Sequence, residues 1–292
     1  MRSRTLFYGS LAAGLVVALA LLLARPLLPG HSPTASPPPA AAAFEDERPR
    51  TALGLHTGLP VYRPLNLGLE ALARGEGEVP WQREAIERRH RLVPLDTLSP
   101  VPGLTPEDPQ VDPLQRLSRL AVIQPRGLSP ADNVALDDWV RGGGRLLLVL
   151  DPMLTGDYEL PLGDPRRPNA VALIPPVVER WGLEVVFDET QGSAPRFAAF
   201  PGGTLPLALA GELRRLDGQG EACAFAADRA LASCPVGEGS VTLLADAALF
   251  EHEALAREAG QGGSAILALL DHAFAAESPG DIAGTDAGGP GK

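Results

Sequence analysis

Lysine is nearly missing from this sequence: of 25 basic residues, only Lys292 is not an arginine. We read that as the coding bias of a GC-rich bacterial genome and not as chemistry. Cysteine occurs twice in 292 residues, which excludes a cysteine-rich metal scaffold. Positive charge is scarce beside 36 acidic residues, and the formal net charge is −11. Affinity for a phosphate backbone depends on Lys and Arg, so no nucleic-acid partner is expected.

The signatures of several enzyme classes are missing as well. There is no G-x-x-x-x-G-K-[ST] and no G-x-G-x-x-G. The glycine turn Gly142–Gly144 follows a helical pattern and precedes a strand, whereas phosphate loops follow a strand and open a helix. An ATPase or a dinucleotide enzyme is therefore not expected. No G-x-S-x-G nucleophile elbow occurs. The zinc-protease spacing H-E-x-x-H is absent, and Glu251, His252 and Glu253 are consecutive. On a helix such neighbours point about 100° apart and cannot easily share one ion. They read as solvated residues at a helix start, and neither a metal nor a cofactor is expected.

What is present suits a globular protein with a membrane anchor. Hydrophobic residues make up 45% and charged residues 21%, enough for a real core. With 32 glycines and 30 prolines, some of the chain must be linker or loop. Arg2 and Arg4 precede the uncharged run from Thr5 to Ala24, which Arg25 and Pro26 close. As a helix that run spans roughly 30 Å, the depth of a bilayer core. It exceeds the apolar core of a cleaved signal peptide, and the best small-residue site, Ala40–Ala43, lies far downstream. The cationic start predicts a cytoplasmic N-terminus and a bacterial inner-membrane protein whose remainder is periplasmic. Residues 31–50 hold five prolines and five alanines and form an extended spacer. Residues 276–292 hold five glycines and no apolar cluster, and read as a disordered tail.

Residues 51–275 should carry the fold, an α/β pattern whose crossovers imply parallel pairing. Strands are expected at Thr51–Leu55, Arg91–Leu95, Leu120–Gln124, Arg145–Leu150, Leu183–Phe187 and Ser240–Ala245. Helices are expected at Pro64–Arg74, with Leu65, Leu69 and Leu72 on one face, and at Trp81–Arg89, Pro175–Trp181 and Ser264–Phe274. A further helix is read in the AALFEHEAL run after Asp246. The clearest helix starts at Ser129, an N-cap with Pro130 in the first turn and Asp132 completing an S-x-x-D box. Its buried side should be Ala131, Ala135, Leu136, Trp139 and Val140, and Gly142 should end it. Glu221–Phe225 and Ala230–Cys234 suggest a hairpin, across which Cys223 and Cys234 would form a disulfide in an oxidising compartment.

One feature of this pattern could carry function. His56, Asp96, Gln124, Asp151 and Asp246 each sit where a predicted strand ends. In open α/β sheets ligands bind beyond the carboxyl ends of the strands, so these five are the candidate ligand-binding residues. If the row forms a crevice, it should be open and acidic. The plainer account is that an Asp at a strand end caps the next helix or fixes a turn.

The run PRGLSPADNVALDDWVRGGGRLLLVLDPML, with WGLEVVFDE and GSVTLLADAALFEHEAL, resembles membrane-anchored proteins of the domain of unknown function 4350 type. These are similar to the soluble domain of gliding-motility-type ABC transporter auxiliary proteins. The resemblance covers about residues 50–275, and its most specific part is the helix–Gly-Gly-Gly–strand–Asp-Pro block. It implies a flavodoxin-like, class I glutamine-amidotransferase-like fold: a mostly parallel sheet flanked by helices. The catalytic cysteine of true amidotransferases has no match here. The resemblance also implies membrane partners, either an ABC permease or a membrane complex associated with a AAA-type ATPase.

The expectation is thus a single-pass protein with an anchor at 1–30, a spacer at 31–50, a periplasmic domain at 51–275 and a tail at 276–292. It would act as a non-catalytic accessory or binding component. The rival readings are a hydrolase using the strand-end carboxylates and a secreted solute-binding protein.

Overall fold

The computed structural model describes residues 50–65, 67–75, 77–105, 107–216 and 223–275. The expected membrane helix, all of the spacer before Arg50, and the tail fall outside those residues. Among the described residues no helix is long and apolar enough to cross a membrane.

In chain order the elements are β1 (Thr51–Thr57), α1 (Leu69–Ala73), α2 (Trp81–Glu87), β2 (His90–Pro94), β3 (Arg119–Ile123), α3 (Pro130–Arg141) and β4 (Arg145–Val149). Then come α4 (Val177–Arg180), β5 (Leu183–Val186), β6 (Arg196–Phe200), β7 (Gly203–Leu207), β8 (Glu212–Arg215) and β9 (Ala224–Ala226). The chain closes with β10 (Leu231–Val236), β11 (Gly239–Leu244), α5 (Ala248–Glu251), α6 (Glu253–Ala259) and α7 (Ser264–Phe274).

The central sheet has seven strands in the order β2-β1-β3-β4-β11-β10-β9. The first five are mutually parallel; at one edge β10 runs antiparallel to β11, and β9 antiparallel to β10. The protein is therefore a mixed α/β structure with a mostly parallel central sheet flanked by helices. The strand sequences explain why both faces are covered. RLAVI and RLLLV are apolar without alternation, which suits strands buried on both sides. Ala121, Ile123, Leu147 and Val149 face one core with α2, α7 and the β6–β7 hairpin. Their neighbours Leu120, Val122, Leu146 and Leu148 face the other, with α3, α4 and the antiparallel β5–β8 ribbon.

Helix α3 begins as its capping box demands. The Asp132 N–H donates to Ser129 Oγ at 3.0 Å, and the Ser129 N–H donates to Asp132 Oδ2 at 3.1 Å. Its buried side differs from the expected one: Ala131 is exposed, while Asp132 and Asp137 are buried beside Leu136 and Val140. Polar partners make that possible. Asp132 Oδ1 also accepts from the backbone of Leu98 and Ser99, and Asp137 accepts from the Trp181 indole at 2.9 Å. The turn after α3 is tight. A Cβ on Gly239 would lie 2.2 Å from the carbonyl oxygens of both Val140 and Gly144.

Other expectations need correction. The helix expected over Pro64–Arg74 shrinks to α1, and Gly68 immediately before α1 disfavours helix there. The strand at Leu183–Val186 pairs outside the main sheet with β8. The helix expected in AALFEHEAL is two helices with a break at His252, whose φ and ψ are −112° and 98°. At the far edge, Cys223 and Cys234 are joined by a disulfide with a Cα–Cα distance of 4.3 Å. The β9–β10 register makes them directly opposed cross-strand residues, since Ala224 pairs with Ser233.

Candidate functional site

The strand-end residues do not open onto a common crevice. His56, Gln124, Asp151 and Asp246 grip backbone near the strand ends instead. The His56 Nδ1–H donates to the Leu95 carbonyl at 2.9 Å, tying the end of β1 to that of β2. Gln124 mimics a strand rung across to β4. Its Oε1 accepts from the Asp151 N–H at 2.8 Å, and its Nε2 donates to the Asp151 carbonyl at 3.1 Å and to Asn169 at 3.2 Å. These bonds hold Gln124 fully buried with φ of 42°, a conformation uncommon for a non-glycine residue.

Asp151 and Asp246 continue the seam. Asp151 Oδ1 accepts from the Met153 N–H at 2.7 Å, and its Oδ2 accepts from the Ala247 N–H at 2.8 Å. Asp246 Oδ1 accepts from the Ala248 N–H at 2.6 Å, and its Oδ2 accepts from the Ala208 N–H at 2.7 Å. Each thus closes a local Asx-type turn with one oxygen and clamps the next loop with the other. The two are 0% and 1% exposed, so neither charge is offered to a ligand at the surface. Burial pushes Asp151 up to about 7, against the pull of its two amide donors and helped by the charge of Glu251. Burial and then the charge of Asp151 push Asp246 well above the carboxylate range. Of the expected five, only Asp96 is exposed, and it lines a separate cavity with Tyr62 and Arg83.

The point where the strand order reverses, between β1 and β3, is closed by backbone. The Gly58 N–H donates to the carbonyls of Ile123 and Gln124, and a Cβ there would lie 2.4 Å from the Gln124 oxygen. A ligand seated at that switch point would have to displace these contacts.

A cleft of about 610 Å³ lies beside the seam. Its walls come from the loop after β1, the start of α2, the long loop after β4, and α5. Trp81, Tyr158 and Phe250 supply aromatic surface. Six carboxylates line it, Glu78, Glu84, Asp157, Glu159, Glu251 and Glu253, and none of its lining residues is basic. Glu251 holds the wall together. It accepts from the N–H groups of Thr155 at 3.0 Å and Gly156 at 3.1 Å and from the Tyr158 hydroxyl. Burial, then the charge of Glu251, pushes the Tyr158 phenol above its usual range. His252 adds a contact between its Nε2 and the Thr155 hydroxyl at 2.8 Å. Glu251 and His252 are therefore anchors for a loop and not solvated helix-start residues. Glu253 pairs with Arg257. The other four, Glu78, Glu84, Asp157 and Glu159, are exposed and have no ion-pair or hydrogen-bond partner among the described residues.

On the cleft floor, Gln82 is 6% exposed. Its Nε2 donates to the Phe250 carbonyl at 2.7 Å, while its Oε1 has no partner among the described residues. Sequence reasoning passed over this cleft. The signal available was the acidic Asp157-Tyr158-Glu159 triplet in a long loop after a central strand, where function concentrates.

No protein-family model matches the chain, and no curated protein matches it. Solved structures resemble the chain only at low identity. An exo-β-1,4-mannosidase from an Opitutaceae bacterium is 14% identical over 78% of this chain, with a TM-score of 0.46, and this chain spans 37% of its length. A GH42 β-galactosidase is 14% identical over 68% of this chain, with a TM-score of 0.38, and this chain spans 28% of its length. A cytoplasmic protein from Salmonella typhimurium is 12% identical, with a TM-score of 0.46, over 76% of this chain and 98% of its own. Likenesses this remote carry no statement about the chemistry of this chain.

Proposed function

We propose that the chain is a non-catalytic binding protein, held to the membrane by residues 5–24, whose acidic cleft receives a cationic group of a partner. The observation that carries this reading is the cleft, with four unpaired exposed carboxylates and no basic side chain in its lining. A concave site of one charge sign focuses its field on an incoming counter-charge. Trp81 adds a face on which a guanidinium or ammonium gains cation–π attraction. The state of the strand-end carboxylates speaks for binding over catalysis. Asp151 and Asp246 are buried with all four oxygens committed to backbone amides.

The parallel strands, in the order β2-β1-β3-β4-β11, match the doubly wound order 2-1-3-4-5, which supports a flavodoxin-like, class I glutamine-amidotransferase-like fold. The block from Ser129 to Pro152 supports placing the chain with the domain of unknown function 4350 type. On that reading the cationic group is a basic loop of an ABC permease or of a membrane complex associated with a AAA-type ATPase. The disulfide suits the oxidising periplasm.

The test titrates the detergent-solubilised full chain with spermine and with hexa-arginine. Wild type should bind both, more weakly as salt is raised. A variant carrying Glu78→Gln, Glu84→Gln, Asp157→Asn and Glu159→Gln should lose about tenfold or more in affinity, or 1.4 kcal/mol. Equal affinity overturns the site. Ester or glycoside turnover by the full chain that vanishes in Asp151→Asn overturns the non-enzyme reading.

A further inference from the structure

The opposite end of the sheet, where the parallel strands begin, has the reverse chemistry. His90, Arg119 and Arg145 are the first residues of β2, β3 and β4. With Asp271, Phe274 and Ala275 from the end of α7 and the residue after it, they line a cavity of about 340 Å³. His90 is 4% exposed, and neither ring nitrogen has a hydrogen-bond partner among the described residues. Two unpaired polar atoms in one buried ring are costly and ask for a partner. The Thr51 backbone favours the charged ring slightly.

The cavity is cationic on a chain that is strongly anionic overall. The Arg119 guanidinium lies 5.9 Å from the Phe274 ring centroid and has no carboxylate partner among the described residues. Arg145 Nη1 donates to the Phe274 carbonyl at 3.0 Å, which covers the negative end of α7. The one carboxylate in the lining, Asp271, is engaged by Arg89. Burial, then the charge of Arg119, holds the His90 pKa down, with Arg89 adding to that and Asp271 opposing it. The site is thus two arginines and a neutral imidazole able to donate one N–H, a donor set suited to a phosphate oxygen cluster.

The chain enters this same end of the sheet, since Arg50 immediately precedes β1 and Thr51 pairs with His90. We infer that His90, Arg119 and Arg145 form a site for the phosphate of an anionic lipid headgroup. The lipid as source rests on the anchor reading; the phosphate site does not. A tether and a headgroup contact on the same side reinforce each other through effective concentration.

Two arms test it on the full chain. In neutral detergent, inorganic phosphate and glycerol phosphate should shift the His90 imidazole NMR signals and raise its pKa by about one unit, as a neighbouring anion does. Arg119→Gln with Arg145→Gln should abolish the response. Arg119→Lys keeps the charge, guards against a folding defect and should weaken the response. In lipid nanodiscs, phosphatidylglycerol mixed into phosphatidylcholine should protect the amides of residues 90–92, 119–121 and 270–275 from hydrogen exchange. No response of His90 in detergent overturns the site. A response in detergent without lipid-dependent protection overturns the headgroup assignment in favour of a soluble phosphate compound. Failure of the chain to enter nanodiscs overturns the anchor, and leaves the detergent arm to decide the site.

Discussion

Replacing Asp151 by Asn should flatten the dependence of stability on pH, and the sign follows from the pKa. Burial raises Asp151 from the usual carboxylate range to about 7 in the folded protein. Such a group contributes stability that is fully present below about pH 4 and is lost as pH rises through about 7. At about 1.4 kcal/mol for each unit between folded and unfolded values, the loss amounts to at most about 4 kcal/mol. Asp246 is raised as well, and the charge of Asp151 is part of the cause, so the pair resists a second deprotonation. Asn cannot ionise, but it has one acceptor oxygen where Asp151 uses two, for the amides of Met153 and Ala247. Its NH₂ would face one of those N–H groups, a cost of about 1–3 kcal/mol. The variant should therefore be less stable than wild type at about pH 4, with the gap closing or reversing by about pH 8. Urea unfolding of both detergent-solubilised proteins across that range measures it. Other carboxylates titrate alike in both and cancel. A gap that stays constant, or widens in favour of wild type as pH rises, would refute the argument that Asp151 is destabilised as an anion.

Three further outcomes are expected. Reducing the Cys223–Cys234 bond should lower unfolding free energy by about 3 kcal/mol on the loop-entropy model, read by denaturant titration with and without reductant. Gly239→Ala should cost more than about 3 kcal/mol or give insoluble protein, because its Cβ would press on two carbonyl oxygens at 2.2 Å; a soluble variant with wild-type melting would contradict the packing. Asp132→Ala should cost about 2–4 kcal/mol against about 1 kcal/mol for Ser129→Ala, since Asp132 also holds the backbone of Leu98 and Ser99. The Ser129, Thr97 and backbone donors hold the Asp132 pKa far below the usual range despite its burial. Its contribution is accordingly present above about pH 4 and lost as pH falls further, so the gap to Asp132→Ala should narrow in acid.

Elements with a local physical cause were legible in the sequence. Helix α3 carries its own start and stop in Ser129, Pro130, Asp132 and Gly142, and it forms over Pro130–Arg141. The strands RLAVI and RLLLV were legible because burial on both faces makes them apolar throughout. What failed depended on distant partners. LEVV reads as one more strand of the α/β pattern, yet it pairs with β8 in a separate ribbon, and period alone does not name a partner. No strand was expected between residues 188 and 220, because RFAAF and GTLPL alternate weakly and Pro206 interrupts the second. The break at His252 left no glycine or proline to mark it. It is imposed by Glu251 and His252 turning to hold the loop around Thr155 and Tyr158.

The strand-end row misled for a reason that residue type cannot resolve. An Asp after a buried strand meets two demands at once. The loop it opens has N–H groups to satisfy, and a ligand would want its charge. Which demand wins is settled by how many amides lie within reach, and that depends on the register of the neighbouring strand. Here β4 and β11 end level, with Val149 paired to Leu244. The turn after β11 thus delivers the Ala247 N–H to Asp151, while the end of β7 delivers the Ala208 N–H to Asp246. Both carboxylates are consumed by that seam. On the proposed function, recognition falls to side chains the seam does not use: Glu78, Asp157 and Glu159 on loops beside it and Glu84 on α2. This division makes a distinct demand on mutants. Changes in the seam should move stability, including through pH, and leave cation affinity intact as long as the fold holds. Changes at the four exposed acids should move affinity and its salt dependence, and stability by no more than about 0.5 kcal/mol. If Asp151→Asn, shown folded, lost cation affinity as severely as the quadruple cleft variant, seam and cleft would be one site and the separation argued from burial would fall.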